Sequence, residues 1–242
     1  MLLCRYLCIS MKQVVQFQDL GKMEYRQAWD LQEKLLKQAL ASKAAGQPTS
    51  HHLLLVEHPP VYTLGKSGKM EHVLIDQQEM QKRQIGFYHS NRGGDITFHG
   101  PGQIVGYPIF DLECFYTDIG RYLRELEEVI ILTLAEYGLV GQRSKGETGV
   151  WLDPESPLQA RKICAMGVRC SRWVTMHGFA LNVHPDLSYF DNIVPCGIAN
   201  KSVTSMQRET ALAIDMEQVK QKLLHHFEAV FDISIAASAN VG

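Results

Sequence analysis

Twelve residues near the middle of the chain, Arg92-Gly93-Gly94-Asp95-Ile96-Thr97-Phe98-His99-Gly100-Pro101-Gly102-Gln103, hold four glycines and one proline. Glycine has no Cβ, so such a stretch lets backbone approach another group closely, or turn where a side chain would clash. An ordinary surface turn needs only one or two glycines. The same stretch carries Arg, Asp, Thr, His and Gln, which can orient a ligand. It runs into Ile104-Val105-Gly106-Tyr107-Pro108-Ile109, which reads as a buried strand. A glycine-rich loop between strands suits a small-molecule site. A long structural hairpin is the plainer alternative. The stretch matches neither the G-x-x-x-x-G-K-[ST] phosphate loop nor the G-x-G-x-x-G dinucleotide pattern, so nothing in it selects a nucleotide.

Around this loop the sequence mixes helices and strands without the regular alternation of a doubly wound nucleotide fold. Ala28, Leu31, Leu35 and Ala39 recur at helical spacing and predict a helix over 25–45, stopped by Gly46-Gln47-Pro48. Leu53-Leu54-Leu55-Val56 and Val61-Tyr62-Thr63-Leu64 read as strands separated by Glu57-His58-Pro59-Pro60, and Gly65 to Lys69 as a loop. A second helix is predicted over 118–137, with Ile119, Tyr122, Leu123, Leu126, Val129, Ile130 and Thr133 inward and Gly138 at its end. Short strands follow at 149–152, 162–168 and 178–183. A last helix spans 216–231, with Val219, Leu223, Phe227 and Val230 inward. Strands outnumber helices and several adjoin as hairpins. The expected class is α/β (α+β), a mixed, largely antiparallel sheet flanked by helices. No linker divides the chain, so 1–242 reads as one domain, with 1–10 a possible extension before Met11.

Composition narrows the function classes. The chain has 242 residues, a formal charge of −2, 45% hydrophobic and 21% charged residues. That balance gives no general attraction to nucleic acid or membrane. No run of eighteen apolar residues is present. Six cysteines at 4, 8, 114, 164, 170 and 196 match no disulfide framework and read as free thiols in a reducing, cytoplasmic compartment. Cys164 and Cys170 read as core residues, and Cys114 as an unactivated thiol in a polar loop. Cys196 lies in Val194-Pro195-Cys196-Gly197, a tight turn that leaves a thiol approachable, so it is either a nucleophile or a buried turn cysteine. Ten histidines form no H-E-x-x-H, and no metal is expected; His99 and His177 read as hydrogen-bonding or packing residues near a site. Lys162 opens an apolar strand. It is a solvated end, or an ammonium held beside a thiolate, with Arg161 on the opposite face.

Taken in order, Glu57-His58-Pro59-Pro60-Val61-Tyr62-Thr63-Leu64-Gly65, Arg92-Gly93-Gly94-x-x-Thr97-x-His99-Gly100-Pro101-Gly102-Gln103, Lys162-Ile163-x-Ala165-x-Gly167, His177-Gly178-x-Ala180-Leu181-Asn182 and Pro195-Cys196-Gly197 resemble the lipoyl(octanoyl) transferases. The likeness runs from about Asp19 to Ser205. It implies the fold of the biotin and lipoate protein ligases and transfer of an octanoyl group from octanoyl-acyl carrier protein to a lysine of apo lipoyl domains. Those domains belong to 2-oxoacid dehydrogenase complexes and the glycine cleavage H protein. By the same resemblance the activity would be the first step of endogenous lipoate synthesis. It also implies that Cys196 carries the acyl thioester and that Lys162 favours the thiolate and handles protons. The octanoyl pocket would be lined by Arg92, Gly93, Gly94, Asp95, Ile96, Thr97, Phe98, His99, Ala165, Met166, Gly167, Gly178, Phe179 and Ala180. No cofactor is implied.

Thiolate attack on a thioester gives another thioester, nearly balanced in energy, and amine attack then gives an amide, which is downhill. Two half-reactions through one covalent intermediate predict ping-pong kinetics. An ATP-dependent ligase on the same fold is the alternative; it would share Lys162 and the glycine-rich loop but not a nucleophilic Cys196. A non-catalytic lipoyl-domain-binding protein and a plain cysteine hydrolase are further readings. An acidic carrier protein calls for a local basic surface, with Lys66 and Lys69, Arg121 and Arg124, or Arg169 and Arg172 as candidates.

Overall fold

The centre of the protein is set by strands that are apolar on both sides. In a computed structural model, which describes residues 12–194 and 202–237, the elements run β1 (Gln13–Lys22), α1 (Tyr25–Ala44), β2 (His51–Glu57), β3 (Val61–Leu64), α2 (Gln77–Lys82), β4 (Gly86–His89), β5 (Ile96–His99), β6 (Gln103–Ile109), α3 (Ile119–Ala135), β7 (Gln142–Arg143), β8 (Val150–Leu152), β9 (Arg161–Ser171), β10 (Val174–Asn182), β11 (Ser202–Val203), α4 (Met206–Thr210), α5 (Met216–Phe231) and β12 (Ile233–Ala237). Every residue of β6 and β10 is buried. Strands covered on both faces read as continuous apolar runs rather than alternating ones.

The larger, nine-stranded sheet has the order β12-β1-β2-β6-β10-β9-β8-β7, with β11 beside β9. β1 pairs in parallel with β12 and β2, and β11 with β9; the remaining pairs are antiparallel. Successive side chains on a strand point to opposite faces. Leu54 and Val56 of β2 therefore join Val105 and Tyr107 of β6 under α1, against Ala28, Leu36 and Ala39. Leu53, Leu55 and Ile104 face the other way, onto Leu126 and Ile130 of α3 and Leu223 and Phe227 of α5. Each fully buried aliphatic or aromatic side chain contributes roughly 1.5–3 kcal/mol. A second sheet, β4-β3-β5, has its own apolar cluster of Tyr62, Leu64, Ile96 and Phe98.

Several expectations hold: α5 and β3 have the predicted bounds, and the sheet is mixed and largely antiparallel. Others need correction. The buried stripe of α1 includes Gln32 and Leu36, while Leu31 and Leu35 are half-buried. The rotation has a polar cause: Gln32 Oε1 accepts a hydrogen bond from the backbone N–H of His177, 2.9 Å away. The middle of the glycine-rich stretch, Ile96 to His99, is strand β5 rather than loop, because it pairs with β3 residue by residue from Val61↔His99 to Leu64↔Ile96. Cys164 is buried as expected, but Cys170 is exposed near the end of β9. Among the described residues no helix is long and apolar enough to cross a membrane.

β9 and β10 turn at Arg172 and Trp173, both with positive φ (48° and 66°), as a two-residue hairpin of matching twist requires. Lys43 Nζ donates to the Arg172 carbonyl at 2.9 Å and the Leu112 N–H to that of Trp173 at 2.8 Å, so helix α1 and the segment after β6 hold the turn. Farther along β10, a Cβ on Gly178 would stand 2.2 Å from the carbonyl oxygen of Gly106 and 2.7 Å from Pro108 Cδ. Backbone cannot yield there cheaply. Gly178→Ala is expected to lower stability by about 1–3 kcal/mol, seen as a lower urea midpoint with an unchanged slope. An unchanged midpoint would mean that the β6–β10 spacing is looser than described.

Candidate functional site

A cavity of about 560 Å³ lies where the two sheets meet. Its walls come from the glycine-rich stretch, from β9 and β10 and from β6, with Tyr25 of α1, Gly146 to Thr148 of the loop before β8, and Val203 of β11. This size is within the usual range for small-molecule sites, about 300–1,000 Å³. Of the residues expected at an acyl pocket, Arg92, Gly93, Gly94, Asp95, Ile96, Thr97, His99, Ala165, Met166, Gly167, Gly178, Phe179 and Ala180 line it, together with Lys162. Phe98 does not. On β5 its side chain alternates away from those of Thr97 and His99 and stacks on Tyr189 at 4.5 Å, inside the core of the small sheet. Cys196 lies outside the described residues.

Arg92 holds the glycine-rich stretch in shape. Its guanidinium, 7% exposed, donates to the carbonyls of Thr63, Gly93 and Asp95 at 2.5, 2.9 and 2.8 Å, and to Thr63 Oγ1 from Nη2 at 3.0 Å. The planar five-donor fork suits such a cluster of oxygens. The stretch is then pressed onto β9: the Gly93 N–H donates to the Val168 carbonyl at 2.9 Å. A Cβ on Gly167 would stand 2.6 Å from the Gly93 carbonyl. Two sequence motifs about seventy residues apart therefore touch backbone to backbone.

Near Arg92 is a cluster of buried histidines that burial keeps neutral: His99 and His177 line the cavity, and His58 packs against His99. His58 Nδ1 is 2.7 Å from the Met23 carbonyl, so that nitrogen carries the proton and Nε2 accepts from the Tyr107 hydroxyl at 2.7 Å. Desolvation pushes the His58 pKa down to about 4, only partly offset by that backbone hydrogen bond. His177, with φ +58°, bonds Asn91 Oδ1 at 2.6 Å through Nε2. Burial, with Arg92 and Arg169 nearby, lowers its pKa to about 3. His99 is held well below the ordinary histidine value, again mainly by burial. Glu33 ties this cluster to α1, accepting from Asn91 Nδ2 at 3.1 Å and Arg169 Nη1 at 2.8 Å.

Lys162 occupies another part of the cavity wall. It is 9% exposed, with Nζ 4.6 Å from the centroid of the Trp151 ring. A cation over an indole face is attracted by the ring quadrupole. Arg161 points the other way, as expected, and pairs with Asp153 and, through two nitrogens, with Glu209, all at 2.6 Å. Glu209 also accepts from Thr204 Oγ1 at 2.5 Å, and the Thr204 N–H donates to the Lys162 carbonyl. β11 is thereby fixed beside β9, with Val203 opposite Lys162. On the other side, the Val194 N–H donates to the His72 carbonyl at 2.9 Å, and His72 Nδ1 stands 2.5 Å from Asp95 Oδ2. The last described residue before the stretch that contains Cys196, and the first ones after it, are thus both anchored to walls of the cavity.

The loop before β8 is pinned from α3. Buried Glu127 accepts from the Gly149 N–H at 2.9 Å through Oε1, while Arg124 and Arg143 approach Oε2 at 2.7 and 3.2 Å. Sequence reasoning missed Tyr25, Tyr107, Glu147 and Phe190 as cavity residues. Tyr107 sits in the recognised buried strand, but the others lie in segments with no motif.

The family model for the lipoyl protein ligase A/B catalytic domain matches residues 24–228. An octanoyltransferase of Cytophaga hutchinsonii is 55% identical over 226 residues, covering 90% of this chain and 93% of the relative. One of Flavobacterium johnsoniae is 56% identical over 232 residues, covering 93% of this chain and all (100%) of the relative. The chain belongs to the octanoyltransferases of that family. It is an acyltransferase, and octanoyl transfer is its chemistry. The fold agrees: a bipartite lipoate protein ligase of Thermoplasma acidophilum superposes with a TM-score of 0.69 at 16% identity, over 96% of this chain and 88% of that one. A lipoate-protein ligase A bound with ATP gives 0.68 at 16%, over 96% and 90%. With those ligases this octanoyltransferase has the fold in common.

The neutral histidine cluster carries a pH dependence. Folded His58 takes a proton near pH 4 and an unfolded one near 6.5, so the unfolded state binds more protons between those values. Stability is full above about 6.5 and is lost as pH falls toward 4, by roughly 3 kcal/mol from this residue. Thermal or urea midpoints measured from pH 7.5 to 4.5 are expected to fall, and to fall less steeply for His58→Gln. Parallel curves for the two proteins would remove His58 from this role.

Proposed function

We propose that the chain takes an octanoyl group from octanoyl-acyl carrier protein onto Cys196 and passes it to a lysine of an apo lipoyl domain, in the cytoplasm. The observation that carries the reading is the cavity running along β9 from Lys162, with apolar and glycine-rich walls, in a chain whose relatives are octanoyltransferases. The Cys196 thiolate attacks the carrier thioester carbonyl. The C–S bond to pantetheine breaks, and the departing thiolate takes a proton that the Lys162 ammonium can give. The neutral Lys162 amine then accepts a proton from the acceptor lysine as that nitrogen attacks the enzyme thioester. The amide forms and the Cys196 thiolate leaves. Lys162 and Cys196 enter this scheme from their motifs; support for Lys162 comes from its position in the cavity wall, held over Trp151. Free thiols at Cys114, Cys164 and Cys170 fit a reducing compartment.

Acceptors of the lipoyl-domain class fit the family and the Thermoplasma acidophilum ligase described together with its E2 lipoyl domain. The basic pairs considered for carrier docking are mostly neutralised in place: Lys69 by Glu71, Arg121 by Glu125, Arg124 by Glu127 and Arg169 by Glu33. Docking of an acidic carrier therefore draws on Lys66 or Arg172 more than on those four.

Intact mass after incubation with octanoyl-acyl carrier protein tests the scheme. One octanoyl adduct is expected on the wild type, sensitive to hydroxylamine and absent from Cys196→Ala. Lys162→Ala is expected to lower the rate of adduct formation by at least about 100-fold, the scale of a lost proton-transfer group. An adduct that survives in Cys196→Ala, or full-rate transfer by that variant, would overturn the thioester route.

A further inference from the structure

Along the strands the cavity has two ends of different chemistry. Lys162, Gln103 and Asn182 line one, with Gln103 paired to Asn182 across β6 and β10. Tyr107 lines the other, four residues farther along β6, about 13 Å at the usual rise. Tyr25, the first residue of α1, meets it there: both rings pack on His58, with centroids 5.4 and 5.9 Å away. Among the described residues Tyr25 is the only part of α1 that lines the cavity. Its ring is 2% exposed and held from several sides. It stands edge-on to Trp29 and His58, tilted on Tyr88 at 5.3 Å and nearly parallel to His99 at 6.0 Å. Its hydroxyl donates to Ser90 Oγ at 3.1 Å. The backbone just before it is tied as well: the Met23 N–H donates to the Glu57 carbonyl at 3.0 Å, and the Met23 carbonyl accepts from His58 Nδ1 at 2.7 Å. In a close-packed interior a ring held by its faces, its edge and its hydroxyl does not swing aside for a ligand.

We propose, resting on the reading of this cavity as the acyl site with the reacting carbonyl at its Lys162 end, that the Tyr25 ring is the stop for the methyl end of the acyl group and sets the accepted length at eight carbons. The seven C–C bonds of an octanoyl group, about 1.5 Å each, reach under about 11 Å. The terminal methyl adds its own radius of about 2 Å, half of an ordinary carbon contact. Together these match the distance from Gln103 to Tyr107. A decanoyl group needs about 3 Å more for its two extra bonds, and the Tyr25 ring fills that space. Width is set separately. Midway along, Val105, Ala180 and Ala165 stand side by side on β6, β10 and β9 and all line the cavity. Such small side chains leave room for a hydrocarbon chain without measuring its length, so the end residue does the measuring.

Calorimetric binding of hexanoate, octanoate, decanoate and dodecanoate to the full chain tests this without catalysis. In the wild type, affinity is expected to rise about fourfold per methylene up to octanoate, the gain from one buried CH₂. Dodecanoate is expected to bind at least about tenfold more weakly than octanoate, the scale of forced overpacking. In Tyr25→Ala the rise is expected to continue, so that the dodecanoate-to-octanoate ratio exceeds the wild-type ratio by at least about tenfold. Tyr25→Phe keeps the ring and loses only the bond to Ser90, and is expected to keep the wild-type profile. Each protein is its own reference, so a general weakening of a variant cancels. Should Tyr25→Ala not fold, Tyr25→Leu keeps more of the apolar packing and is expected to shift the ratio in the same direction. A wild type whose affinity goes on rising through dodecanoate would overturn the stop. So would an unchanged profile in the folded variant, or a profile lengthened equally by Tyr25→Phe. An octanoyl adduct on Cys196 with an unchanged Tyr25→Ala profile would overturn the stop and keep the transfer scheme; a shifted profile without any adduct would do the reverse.

Discussion

The guanidinium of Arg92 is the joint on which the site depends. It gathers carbonyls from β3 and from its own loop, oxygens that would otherwise need water inside a buried wedge between two sheets. Once they are satisfied, the loop can lie flat on β9, and only glycine at 167 leaves room for it. The cavity is therefore bounded largely by main chain. A lysine at this position would supply a point charge without the fixed fork, and could not serve three carbonyls in one plane.

Electrostatically the site is divided. At one side a single ammonium lies over an indole; at the other, several imidazoles are kept uncharged by desolvation and by the nearby positive charge of Arg92. A cation next to Arg92 in a low-dielectric wall would be costly, so the histidines remain hydrogen-bonding groups rather than charges. Between them the cavity wall is largely glycine and apolar side chains.

Much of the site was legible in the sequence because its walls are made by motif glycines and the residues beside them. Thr97, Lys162, Ala165 and Gly178, which the family resemblance pointed to, lie in the cavity wall. Phe98 shows the limit. A motif names consecutive residues, whereas a strand shows only alternate ones to a ligand. Tyr25 and Glu147 gave no signal, since each reaches the cavity through tertiary placement alone. β1 was missed for a related reason: with Gln13, Gln16 and Gln18 in the strand and Val15 its one buried residue, it carries little apolar pattern, and its partners β2 and β12 are far away in the chain. Gln32 was hidden by its type. A polar residue on a buried helical stripe becomes readable only when the N–H it serves is known.

The pairing of β1 with β12 joins Val15 to Ile235, 220 positions on. Synthesis from a ribosome delivers the second of those strands some 220 residues after the first. Until α5 and β12 emerge, the outer edge of β1 lacks its second neighbour, and the face of β2 and β6 opposite α1 lacks Leu223 and Phe227. The nascent chain therefore holds its cavity-forming residues long before the sheet behind them is covered. Closure of this side of the fold is a long-range event, which local helix formation alone cannot complete.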